Sequence, residues 1–226
     1  MSNVIICSGV GGWYPKGVER LEQSLKDVGW GGSVLTWKDE YPPGSPPHQA
    51  NPYAFKLFAL EEARRQGFRN VLWCDSSVWS VKNPEPIFSI IQNQGYYLWE
   101  CGYMCNSWTN DATLQAFGVS RKEASTIKMI SANIMGFDFE HPTAKAFMDR
   151  YRWAFGQGLF KGPWTRQEGD PEPPDYLGHR HDQSSASLIA HELGMNIEGW
   201  GVNCQYMQRS DLSRMSLTIV LTLEGM

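Results

Sequence analysis

Short apolar runs alternate along the chain with segments of helical period, and this alternation sets the first expectation of the fold. The β-branched run 3–9 ends at Gly9, Gly11 and Gly12, and Val18, Leu21, Leu25 and Val28 then recur at helical spacing. That reads as a strand, a glycine loop and a helix. The pattern predicts a second strand over 31–40, an amphipathic helix over 53–67 closed by Gly67, and a third strand over 70–74. Between them, Tyr41 to Pro52 is too rich in proline for regular structure, and a loop of that length is often functional.

The alternation persists. Prolines suited to a first turn open a helix over 84–95, and a strand follows over 96–103. Thr109 or Asn110 caps a helix over 109–118; after it come a strand over 129–139, a helix over 141–158, a long polar loop over 163–181 and a helix over 182–194. A final strand is expected over 215–225. Strands alternating with helices over the whole length predict an α/β sandwich with a mostly parallel sheet, in which ligands bind beyond the carboxyl ends of strands. No repeat, low-complexity tract or linker divides the chain, so residues 1–226 are read as one domain.

Candidate chemistry starts at the end of the third strand. Asp75 closes the apolar run and is followed by Ser76 and Ser77. One carboxylate with neighbouring hydroxyls suits a magnesium or manganese ion that serves a diphosphate, because phosphate oxygens and water complete the shell. The plainer reading is a solvated turn residue. His179, His181 and Asp182 form a second group, and one histidine is a candidate to complete a metal shell begun by Asp75 and Ser77. Asp182 is equally placed to cap the helix it opens, and the two roles are compatible.

Several classes fall away. "GVGG" lacks the spacing of a dinucleotide-binding loop, no acid ends the second strand in the manner of such sites, and a phosphate-binding "GxxxxGK[ST]" is missing. A net charge of −4 carries no footprint of nucleic-acid binding. The five cysteines are odd in number, and Cys101 and Cys105 have no second close pair, so a disulfide frame and a structural zinc site are not expected. Free thiols and the lack of a leader-like start or a membrane-length apolar run point to a cytoplasmic protein. Ten tryptophans are many for 226 residues, and Trp79, Trp108, Trp164 and Trp200 fall in or beside loops, where they could stack on sugar rings.

Taken in order, "NVIICSG", "NPYAFKLFAL", "NVLWCDSSV", "SANIMGF" with "HPTAKAFMDRY", and "HDQSSASLIA" resemble the nucleotide-sugar glycosyltransferases of the GT-A fold, over roughly residues 3 to 200. The resemblance implies transfer of a hexosyl or pentosyl group from a nucleoside diphosphate donor to a hydroxyl of an unknown acceptor, with a divalent cation, Mn or Mg. It implies that the loop containing Cys7, Ser8, Gly9 and Gly11 contacts the nucleoside, and that Lys56 lies near the donor phosphates or sugar. Asp75 takes the place of the first acid of the family's Asp-x-Asp motif beside Ser76, Asn133 faces the donor sugar, and Asp182 and Gln183 approach the anomeric centre. The chain departs from the family at Ser77, where the second acid would stand. Positive side chains such as Lys56 and Arg180 are the alternative to a metal in offsetting the leaving diphosphate. For an inverting reaction the candidate bases are Asp111 and Asp182; no strong nucleophile for a retaining reaction is evident. Two alternatives remain, a nucleotidyltransferase using Lys16 or Arg20, and a non-catalytic carbohydrate-binding protein on the same fold.

Overall fold

The computed structural model describes residues 3–206 and 220–222. Strand β1 (Asn3–Gly9) leads through the glycine loop into helix α1 (Tyr14–Asp27), then β2 (Ser33–Lys38), α2 (Phe55–Arg65) and β3 (Asn70–Cys74). After β4 (Val78–Ser80) come α3 (Glu85–Gln94), β5 (Tyr96–Tyr97) and β6 (Glu100–Met104). Three short helices, α4 (Cys105–Trp108), α5 (Asp111–Ala116) and α6 (Arg121–Ala124), precede β7 (Lys128–Ile130) and β8 (Ile134–Asp138). Helices α7 (Pro142–Gly156) and α8 (Asp182–Glu192) and strands β9 (Cys204–Tyr206) and β10 (Val220–Thr222) complete the described chain.

The central sheet runs β2-β1-β3-β8-β5 and is parallel except at β8, which pairs antiparallel with both neighbours. Its faces follow from strand alternation. Val4, Ile6, Val71 and Trp73 turn to one side, under α2, α7 and α8, while Ile5, Cys7, Leu72 and Cys74 turn to the other, under α1 and α3. Helices on both faces make the expected α/β sandwich, and a smaller cluster around Leu114, Ile127 and Met129 fills the space beneath α4 to α6.

Two predicted strands are each divided. The run 96–103 gives only β5 to the central sheet, and β6 turns away to pair with β7. The run 129–139 divides at Ser131 to Asn133 into β7 and β8. Both chains leave the central sheet side by side, joined where Ser131 N donates to Trp99 O at 2.7 Å. Apolar character continues through the break at Leu98 and Trp99, so the pattern does not mark it, whereas the second break falls at the polar Ser131 and Asn133. The strand expected over 215–225 lies outside the described residues except at β10, which pairs with β4 and β9.

Candidate active site

β3 delivers Asp75 to the carboxyl edge of the sheet, and the surrounding chain fixes it there. The Asp75 N–H donates to Asn133 O at 2.8 Å, and Val78 N returns to Asp75 O at 2.9 Å, closing a turn over the serines. From behind, Arg20 of α1 donates to Ser76 O at 3.2 Å and to Ser77 O at 2.9 Å, with its guanidinium 4.8 Å from the Trp79 ring centre. Gly17 lets α1 come this close: a methyl group there would stand 2.3 Å from Ser76 O. The indole of Trp73 donates to Asp75 Oδ1 at 2.6 Å.

Beneath Asp75 lies a buried charge cluster. Lys56 Nζ sits 3.2 Å from Asp75 Oδ1 and 3.3 Å from Asp182 Oδ2, and donates to Ala132 O at 2.9 Å. Tyr151 OH donates to Asp182 Oδ2 at 3.1 Å. Burial alone would depress the Lys56 pKa, but Asp182 and Asp75 outweigh it and raise it above the usual lysine range. Asp182 is pushed up to about 6, chiefly by burial and further by Asp75, against the pull of Lys56. One ammonium thus serves two carboxylates and stays charged, and Asp182 is the deeper of the two acids. Asp182 opens α8 but makes no cap hydrogen bond, because its side chain turns inward to Lys56 and Tyr151.

In front of Asp75 is a cavity of about 300 Å³ at the carboxyl ends of β1 and β3. Its floor is Ser8, Gly9, Asp75, Ser76 and Ser77; its walls are Tyr14 of α1 and Tyr41, His48, Gln49, Tyr53 and Phe55. The proline-rich loop expected to be functional therefore supplies one wall. The non-glycine residues with positive φ, Asp39, Tyr53 and His181, gather around it. Tyr53 (φ 58°) brings its ring 5.5 Å from His181 and 5.1 Å from Lys56 Nζ, and burial pushes its pKa up to about 12. Asp39, just past β2, accepts from Gly11 N at 3.0 Å and ties down the glycine loop.

The expected site residues separate into three groups. Ser8, Gly9, Asp75, Ser76 and Ser77 line the cavity, and Lys56 and Asp182 support it from below. Asn133 holds Asp75 through its backbone, while its side chain accepts from Ser131 Oγ at 2.7 Å. Others are elsewhere. Cys7 faces the opposite core, as strand alternation requires of the neighbour of Ser8. Gln183 reaches Cys101 Sγ at 3.6 Å, and exposed Asp111 pairs with Arg121. The histidines are tied to the backbone: His179 Nε2 meets Leu159 O at 2.9 Å while Nδ1 accepts from Asn110 N at 3.4 Å, and burial lowers its pKa to about 4. His181 Nδ1 meets Phe160 O at 2.9 Å. Neither ring meets Asp75, and among the described residues no three His, Cys, Asp or Glu side chains converge as a metal site would need. For a divalent cation the chain offers Asp75, whose Oδ2 makes no hydrogen bond among the described residues. One carboxylate fits an ion held mainly by phosphate oxygens and not one held by protein alone. Of the residues that sequence reasoning passed over, Trp73 and Tyr151 carry no local signal; Tyr53 does, standing at the end of the proline-rich loop.

No protein-family model matches the chain, and no curated relative matches it by sequence. Solved structures do match. Over 100% of this chain and 94% of the other, it is 13% identical to a glycosyltransferase involved in glycosylating the major capsid of PBCV-1, with a TM-score of 0.51. Mouse xyloside xylosyltransferase 1 is 9% identical over 98% of this chain and 97% of its own, with a TM-score of 0.53. The galactosyltransferase LgtC, bound to donor and acceptor sugar analogs, is 10% identical over 98% of this chain and 87% of its own, with a TM-score of 0.50. The fold is that of GT-A glycosyltransferases. In this GT-A sheet the cavity occupies the carboxyl edge, with Asp75 at its floor. No helix among the described residues is long and apolar enough to cross a membrane.

Proposed function

We propose that this chain is a glycosyltransferase, which binds a nucleoside diphosphate sugar in the cavity before Asp75 and passes a hexose or pentose to an acceptor hydroxyl. One observation carries the reading: a carboxylate at the end of the third strand of a GT-A sheet, braced by Trp73, Lys56 and Asn133, opens onto an aromatic-walled cavity. Tyr14, Tyr41 and Tyr53 are suited to stack on a flat base, and the Ser8 and Ser76 hydroxyls to bond a ribose or phosphate.

Asp75 would hold a Mn or Mg ion together with the donor's phosphate oxygens, and the ion would supply positive charge to the departing diphosphate. The chain's part is to hold Asp75 at a fixed place, through the Trp73 indole and the Lys56 ammonium, so that no reorganisation is needed when the sugar leaves. Asp182 then acts as a positioning residue for Lys56. The nucleotidyltransferase alternative loses support, since Arg20 is engaged with the Ser76 and Ser77 carbonyls behind the cavity.

The test is a screen of nucleoside diphosphate sugars for binding and slow hydrolysis, with Mn, Mg or chelator. Binding with hydrolysis that rises with the ion supports the reading. Release of pyrophosphate from a triphosphate would restore the nucleotidyltransferase, and glycan binding without any nucleotide binding would favour the non-catalytic alternative.

A further inference from the structure

A cationic aromatic rim continues from the cavity wall at Tyr53. Tyr53, which lines the cavity, stacks 6.2 Å from Trp164, and Trp164 stacks 5.6 Å from His181. The Arg180 guanidinium lies 3.8 Å from the Trp164 ring centre on one side and 3.7 Å from Trp108 on the other. Trp108 in turn meets the edge of Tyr103 at 5.6 Å. Trp164 and Tyr103 are 50% and 56% exposed, so both ends of the rim face solvent, while Trp108 between them also packs against the cluster around Leu114.

The backbone builds this arrangement firmly. Arg180 N donates to Trp108 O at 3.1 Å and its Nη1 to Trp164 O at 2.6 Å. The two arms of the 163–180 loop are joined by Arg166 N to Leu177 O at 2.9 Å and His179 N to Pro163 O at 2.8 Å. Gly178 permits that approach, since a methyl group there would stand 2.1 Å from Trp164 O.

Arg180 is half-buried and, among the described residues, makes no ion pair with a carboxylate. Burial disfavours its charge. A planar cation held between two indoles, with Nη1 on Trp164 O and with Nε and Nη2 making no hydrogen bond among the described residues, is suited to an oxyanion, and exposed flat rings on either side are suited to sugar faces. The diphosphate of a donor is a poor candidate for that oxyanion, because Arg180 is not among the residues that line the cavity.

We propose that the Tyr103–Trp108–Arg180–Trp164 rim is the acceptor surface and takes an oligosaccharide bearing a carboxylate or sulfate, whose anionic group pairs with Arg180. This rests on the glycosyltransferase reading for the word acceptor, while the binding itself is independent of it. Calorimetry on the full chain, with a galacturonate tetrasaccharide, its methyl-ester form and a sulfated chondroitin tetrasaccharide, tests it; the ester keeps the backbone and removes the charge. An acidic glycan is expected to bind at least about tenfold more tightly than the ester, and Arg180→Gln to erase the difference. Arg180→Gln is expected to leave nucleoside diphosphate binding unchanged, which also verifies folding. The uronate and sulfate arms tell the two acidic groups apart. Equal binding of acid and ester, no binding of any acidic glycan, or loss of nucleotide binding with glycan binding intact overturns the proposal. Failure to bind any nucleotide would instead count against the glycosyltransferase reading alone.

Discussion

Lys56 is a fully buried ammonium whose neighbours are two carboxylates, so its removal leaves the charge of buried Asp182 uncompensated. Lys56→Met is expected to destabilise the protein by about 3–5 kcal/mol, read from urea unfolding midpoints; a change below about 1 kcal/mol would mean that the cluster is solvated. Asp182 gives a pH signature. Its folded pKa, about 6, stands above the ordinary 3.8, so the folded state keeps a proton that the unfolded state releases between these values. Stability from this group is therefore greatest at the acid end of that window and falls as pH rises through it. Relative to wild type, Asp182→Asn is expected to lose that downward slope between about pH 4 and 6; an identical slope in both proteins contradicts the assignment. Asp75 and Asp182 stood out in the sequence as acids bordering apolar elements. That Lys56 joins them was not legible from the sequence pattern, because the contact is made only when α2 and α8 pack on the same face of the sheet.

At the scale of elements, the β1–loop–α1 unit and the β3 end form one support for the cavity. Gly17 is the point of closest approach, and a methyl there meets a backbone carbonyl with no freedom to turn aside. Gly17→Ala should cost about 1–3 kcal/mol despite the better helix propensity of alanine, and should weaken nucleoside diphosphate binding because Ser76 and Ser77 move. Parallel melting and titration experiments check this; a more stable variant with unchanged binding would show that α1 does not set the loop. The strand–helix order was readable because buried parallel strands are continuous apolar runs between helical periods. The crossing at Leu98–Trp99 was not, since both residues are as apolar and as buried as the strands they interrupt, and at Ser131–Asn133 the two polar residues are buried like their neighbours. The histidines misled for a related reason: "GHRH" is rich in ligand atoms, but the loop folds back so that backbone carbonyls of Leu159 and Phe160 take them.

Across the whole molecule, the fold is shared with glycosyltransferases that are only 9–13% identical to it. What persists at that distance is the fold, and its α/β layering can be argued from apolar periodicity alone. The cavity walls are different, since residues 41–55 reach the site through tertiary packing and only their proline content hinted at a role. The central claim is that Asp75 is the acid on which sugar transfer depends. The most direct test compares nucleoside diphosphate sugar turnover by wild type and Asp75→Asn, with unfolding followed on the same samples. A loss of at least about 100-fold in turnover with the fold retained is the expected result; turnover within a few-fold of wild type in a folded Asp75→Asn protein would contradict the account.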